Sequence, residues 1–193
     1  MKNFLILFQN FFEYSSKKNA KLKEIVSAIA ENAKYTSPKI QNEIIELMST
    51  IVIEKIINNI KIAPDYSLLA DSTRDPQNHE LLALGARFIN LKALVEERIF
   101  SIAKLNSANA KTISNSIIEK LLEFDINTEK LIAQGYDGAA VMSGIINGVQ
   151  QNIYDKLGRE IFYVHCYNHQ LYLVVLNVIS CDPQISLTFT IAE

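Results

Sequence analysis

Gly135-Tyr136-Asp137-Gly138-Ala139-Ala140-Val141-Met142-Ser143-Gly144 sets a lone carboxylate on a glycine-flanked turn. Apolar residues before such a turn and a helical pattern after it mark a strand handing over to a helix. Leu131 to Ala133 supplies the short apolar run, and Ala139 to Leu157 the helical pattern. Downstream, Ile161 to Val164 predicts another strand and Tyr167 to Ser180 a final helix, with His165-Cys166-Tyr167-Asn168-His169 at the junction. Upstream, Tyr66-Ser67-Leu68-Leu69-Ala70-Asp71 is an apolar run that stops on an acid, as a strand delivering a carboxylate to a sheet edge would.

Between these landmarks, Leu81 to Asn90 and Leu94 to Leu105 read as strands. Asn109 to Phe124 reads as an amphipathic helix, with Ile113, Ile117, Ile118, Leu121 and Leu122 on one face. The order from Tyr66 onward is therefore β-β-β-α-β-α-β-α, an α/β class. Before it the chain is helical. Leu22, Ile25, Val26, Ile29 and Ala33 share one face of a first helix. Ser37 is an N-cap for a second, with Pro38 at the first helical position, where its missing N–H costs nothing. Ile40, Ile44, Leu47, Met48, Ile51 and Ile56 continue that helix's stripe until Ala63-Pro64-Asp65 ends it. The expected organisation is a helical segment over 1–64 and an α/β domain over 65–193.

The three acid- and histidine-bearing stretches resemble the catalytic core of hAT-family transposases and of the zinc-finger MYM-type proteins descended from them. That family shows an Ala-Asp-Glu-Thr-Thr-Asp stretch where this chain has Ala70-Asp71-Ser72-Thr73-Arg74-Asp75. It then shows Gly-Tyr-Asp-Gly-Ala-x-x-Met-Ser-Gly and His-Cys-x-x-His-x-Leu stretches, both closely matched here. Lys34 to Glu43 is similar to the helical segment leading into that core, so the resemblance covers most of the chain. It implies the N-terminal part of a ribonuclease H-like mixed sheet, incomplete here, in which the first and fourth strands lie side by side. The β-β-β-α-β-α-β-α order is the element order of that fold.

The resemblance further implies that Asp71 and Asp137 are catalytic and metal-binding carboxylates. Two carboxylates that close repel unless a cation or proton lies between them. Mg²⁺, with hard oxygen ligands and retained waters, suits such a pair. A two-metal phosphodiester cleavage and joining reaction is the family's mechanism. The family's third acid comes from far downstream, and no residue here is carried over to that role. Weak Mg²⁺ binding without cleavage is the resulting expectation. Cys166 and His169 are placed by the resemblance beside the active site, contacting DNA or supporting the site. Each residue also has an ordinary reading: turn or cap for the aspartates, buried imidazole and small apolar thiol for the other two. Asp75 before Pro76 reads as a turn residue. A zinc corner at His165, Cys166 and His169 lacks a fourth ligand, because Cys181 and His79 have no matching spacing.

Where the family usually has glutamate, asparagine and asparagine, this chain has Ser72, Val141 and Tyr172. Losing polar groups near the site favours a domesticated, non-enzymatic nuclear protein or catalytically incomplete fragment. The alternative is a DNA transposase subunit, active when complete. DNA is the expected partner, held weakly or through further regions, with self-association through uncovered apolar surface. Charge agrees with a weak grip: 49% of residues are hydrophobic, 21% are charged and the net charge is −2, far from the clustered Lys and Arg that phosphate binding requires. Residues 1–65 carry 9 basic against 7 acidic side chains, and 66–193 carry 10 against 14. Two cysteines are too few for a disulfide framework. No run reaches the ~20 apolar residues of a membrane span, and Gln9 and Asn10 interrupt the apolar Phe4 to Phe8 start that would otherwise suggest a signal peptide.

Overall fold

The computed structural model describes residues 14–15, 17–30 and 37–181. The chain divides into two compact units, 1–52 and 53–193. In the first, α1 (Ala20–Ala28) starts at Asn19, whose side-chain oxygen accepts from the Leu22 N–H at 3.1 Å. It is shorter than the periodicity predicts. The Val26 side chain and Ala33 lie outside the described residues, and Ile25 and Ile29 are exposed. Helix α2 (Pro38–Ile62) begins as expected, with the Ile40 N–H donating to Ser37 Oγ at 3.4 Å and Pro38 as the first helical residue.

The second unit is built on a five-stranded mixed sheet. Its strands are β1 (Tyr66–Arg74), β2 (Glu80–Ile89), β3 (Val95–Leu105), β4 (Leu131–Tyr136) and β5 (Phe162–His165). The order across the sheet is β3-β2-β1-β4-β5. β1 pairs antiparallel with β2 and β2 with β3, whereas β1–β4 and β4–β5 are parallel. The first and fourth strands are thus neighbours, in the arrangement of a ribonuclease H-like sheet. Antiparallel partners can be joined by tight turns, while parallel ones need crossovers. Helix α3 (Ala110–Glu123) forms the first crossover, and α4 (Ala140–Ser143) with α5 (Val149–Leu157) the second.

One face of the sheet is sealed. Alternate strand residues Tyr66, Leu68, Ala70, Leu82, Leu84, Leu131 and Tyr136 are buried, as alternation along a strand requires. They form one core with Ile113, Ile117 and Leu121 of α3, Val149 and Ile153 of α5, and Ile57 and Ile60 at the end of α2. That helix's last turn is capped from β4's side: Lys130 Nζ donates to the carbonyls of Lys61 and Ala63 at 2.8 and 2.9 Å. A cation at a helix C-terminus meets both the free carbonyls and the negative end of the helix dipole.

Three sequence expectations shift. β1 does not stop at Asp71 but runs on to Arg74, paired with β2 as far as Arg74 with Glu80. β4 continues three residues past Ala133, because Gln134, Gly135 and Tyr136 are held in register between β1 and β5, overriding the turn character of Gln-Gly. The single helix predicted over Ala139 to Leu157 is interrupted between Ser143 and Val149. There the Gly148 N–H donates to the Gly144 carbonyl at 2.9 Å, and a Cβ on Gly148 would sit 2.3 Å from Gly144 N. Two glycines touching backbone to backbone make a pinch, which the helical pattern of the flanking residues conceals.

The final helix, α6 (Tyr167–Cys181), differs from a helix packed on the sheet. None of its residues is buried, and Leu171, Val174, Val175 and Val178 are exposed. No helix among the described residues is long and apolar enough to cross a membrane.

Candidate functional site

The site lies at the carboxyl ends of β1, β4 and β5. β1 and β4 pair Leu69 with Gly135 at their last bridged position. Two residues further along each stand Asp71 and Asp137. Leu69 and Gly135 share a face, since only 3.0 Å separates Leu69 Cδ2 from a Cβ placed on Gly135. Asp71 is still inside β1, which runs on to Arg74, whereas Asp137 lies one residue past the end of β4. The same extension from Tyr136↔His165 brings Cys166 beside Asp137, where the Cys166 N–H donates to the Tyr136 carbonyl at 2.8 Å. Asp137 and Cys166 thus each stand one residue past the end of their strands, β4 and β5.

Asp71 is exposed, and no hydrogen bond or ion pair engages its side chain among the described residues. Asp137 is half-buried and anchored. Its Oδ1 accepts from the Ala139 N–H at 3.2 Å, in an Asx-type turn, and its carbonyl accepts from the Tyr163 hydroxyl at 2.9 Å. Desolvation pushes the Tyr163 hydroxyl above its ordinary pKa, a hydrogen bond with Ser143 lowers it, and the Asp137 charge raises it again. Ser143 Oγ in turn donates to the carbonyls of Gly138 and Ala139 at 3.0 and 3.1 Å, tying the end of the one-turn helix back onto the glycine turn.

Gly138 has a specific job. A Cβ there would lie 2.4 Å from His165 Cε1 and 2.7 Å from its Nε2, so the imidazole occupies the space that any other residue would need. His165 Nε2 is buried without a hydrogen-bond partner among the described residues. The ring lies 5.9 Å from that of His169, with 34° between planes. Cys166 is exposed and His169 half-buried. The sequence singled out Asp71, Asp137, Cys166 and His169, took His165 only as part of a zinc corner, and left out Tyr163 and Ser143. The signals were there: Ser143 and His165 lie inside the quoted motifs, and Tyr163 stands two residues before His165 on the same strand.

Residues 2–148 match the family described as ZMYM1/FAM200, RNase-like domain. The chain belongs to this family. The match spans both Asp71 and Asp137, and it agrees with the transposase-derived, MYM-type resemblance carried by the motifs. The five-stranded mixed sheet is the RNase-like architecture which that description names.

A divalent cation is the group this architecture implies, and the donor set can be tested against it. Two hard carboxylates on neighbouring strand ends, one without another partner, suit a Mg²⁺ ion that keeps most of its waters. The thiol of Cys166 is a soft donor and does not suit it. Among the described residues no group of three or more His, Cys, Asp or Glu side chains is placed to hold a metal. A bound Mg²⁺ would supply charge neutralisation and phosphate-oxygen contact there.

Proposed function

We propose that this chain is a hAT-type, transposon-derived domain working in the nucleus as a domesticated, DNA-contacting protein without strand-cleaving activity of its own. The observation that supports the reading is that Asp71 and Asp137 each follow by two residues the last bridged position of β1 and β4, Leu69 with Gly135, while no group of three or more His, Cys, Asp or Glu side chains is placed to hold a metal among the described residues. The pair keeps the position where a cation and a phosphodiester would meet. Two-metal chemistry needs more ligands than the pair provides. Asp137's anchored turn holds one carboxylate in place, and the uncommitted Asp71 leaves room for water and phosphate oxygens.

The retained pair also sustains the second reading, an active transposase subunit once further acidic residues complete the site. Uncovered apolar surface supports self-association in either case. Ile99, Ile102, Phe162 and Val164 are exposed on the strands, as is the uncharged α6.

The test is a Mn²⁺ titration followed calorimetrically, paired with a nicking assay on transposon-end DNA. Expected are weak binding, lost in Asp71→Asn and Asp137→Asn, and no nicks. Robust cleavage that disappears in Asp137→Ala would overturn the non-enzymatic reading and establish the second one.

A further inference from the structure

β3 closes one side of the sheet as an eleven-residue edge strand, paired with β2 alone. Its outer N–H and C=O groups have no backbone partner among the described residues. A row of such groups is a template on which an extended chain adds as a further strand. β5, the other edge, has only four residues, the short form of a guarded edge. β3 also carries a bulge. Leu84 pairs with Ser101 and Gly85 with Ile99, so Phe100 is an extra residue, and its buried ring meets Phe124 edge-on at 6.1 Å. The kink is therefore fixed from the core side.

The bulge decides which strand fits. β2 is unbroken, and its residues Ile89, Arg87, Gly85, Ala83 and Leu81 alternate onto one face. Their partners Val95, Glu97, Ile99, Ile102 and Lys104 share that face, odd-numbered before the bulge and even-numbered after it. Two antiparallel copies of β3, related by a two-fold axis between Phe100 and Ser101, then set Ile99 opposite Ile102 and Glu97 opposite Lys104, each pair twice. Faces match on both sides of the bulge. A regular strand would need a second register break there, whereas a copy of β3 brings the same extra residue at the same place. Charge agrees with this register. Lys104 is exposed and has no ion pair among the described residues; Glu97, held by Arg87 Nη1 at 2.8 Å, is exposed too and keeps a second oxygen for it.

We propose that the chain forms a two-fold dimer in which β3 pairs antiparallel with β3 of a second copy, joining the two sheets into one continuous sheet. This dimer rests on the self-association read above and deepens it by naming the surface and its register. Cross-strand pairs are individually weak, so the association depends on concentration and on the Glu97–Lys104 pairs that this register makes.

The experiment is analytical ultracentrifugation of the full chain over a concentration series, with charge variants. The parent should pass from monomer to dimer. Lys104→Glu and Glu97→Lys should each weaken dimerisation about tenfold or more, because each turns two opposite-charge pairs into two like-charge ones. Mixing the two variants in equal amounts should restore the dimer, since opposite charges then meet at both positions. The exchange Glu97→Lys/Lys104→Glu within one chain should dimerise as the parent does. Both side chains are exposed, and the Arg87–Glu97 pair is of the surface kind that adds little, so circular dichroism and melting should match the parent in every variant. Association through α6 or through the open sheet face would ignore these exchanges. A dimer unmoved by the single variants, or not restored on mixing, overturns the β3 pairing while leaving self-association intact. A parent that stays monomeric at every concentration overturns both.

Discussion

The two faces of the sheet are made by the same strands, yet they obey different rules. On one, Leu68, Leu82, Leu84 and Leu131 are fully buried beneath α3 and α5, with Ile113, Ile117, Leu121 and Ile153 closing the layer. On the other, Ile99 and Ile102 are 61% and 67% exposed, and Phe162 and Val164 are open. The packed face fixes the strand register, because slipping by one residue would turn its leucines outward. The open face inherits that register, and Asp71, exposed on β1, contributes nothing to the core. Fold and site are thus written on alternate residues of the same strands.

The sharpest way to break this division is to truncate one residue on each face. Ile117→Ala should lower unfolding free energy by about 2–5 kcal/mol, the usual range for a core isoleucine. Ile102→Ala should stay within about 0.5 kcal/mol, as exposed positions do. Urea melts of the two variants decide it; comparable losses would mean the second face is covered after all.

A smaller effect tests the turn on the open side. Gly138→Ala forces a methyl into the His165 ring, and overpacking of this kind costs about 1–3 kcal/mol. The expected signature is a lowered melting temperature together with a displaced His165 imidazole resonance. Alanine tolerated with both unchanged would show that the imidazole moves aside freely.

On the packed side, Lys130→Met removes the ammonium that caps α2 and leaves the carbonyls of Lys61 and Ala63 without their donor. A loss of about 1 kcal/mol is expected from a charged hydrogen bond at a helix end, read by thermal unfolding.

The smallest effect is a pH response at the exposed β1–β2 turn. Asp75 accepts from the His79 N–H at 2.8 Å, its other oxygen lies 2.9 Å from His79 Nδ1, and Gln77 N–H adds a third bond. These bonds, the His79 N–H foremost, hold its carboxyl below the ordinary aspartate value. Because the folded pKa is the depressed one, the contribution is present above the unfolded value of about 3.9 and fades as pH falls through the folded one. Asp75→Asn should lower stability slightly at neutral pH and leave it unchanged in acid, so that the acid limb of the stability curve flattens.

Much of this was legible before any coordinates. The apolar runs of β1, β2 and β3 are local signals, as is the α3 stripe, of which Ile113, Ile117 and Leu121 are buried; the Asn109 cap, accepting from the Thr112 N–H at 2.8 Å, is added by the structure. Asp71 stood out because it closes an apolar run, and Asp137 because glycines flank its turn. What local reading missed depends on distant partners. Gln134 and Gly135 look like a turn until β1 and β5 hold them from both sides; Gln134 then donates to the carbonyls of Gln150 and Ile161 in the interior. The break before Val149 hides inside helical periodicity, since only the approach of Gly144 to Gly148 reveals it. His165 was visible as a motif residue, but its role against Gly138 exists only after β5 docks on β4.

The parallel pairing of β1 with β4 carries a kinetic consequence. Hairpins β1–β2 and β2–β3 close over short loops, whereas β1 meets β4 only after the whole β2–β3–α3 span has been gathered in, at a greater loop-closure cost. The Asp71–Asp137 pair is therefore assembled after the hairpins, and its like charges approach only in a nearly native chain. Anything that binds both carboxylates at once reads out finished folding: it stabilises the completed sheet by mass action while ignoring every partly folded form.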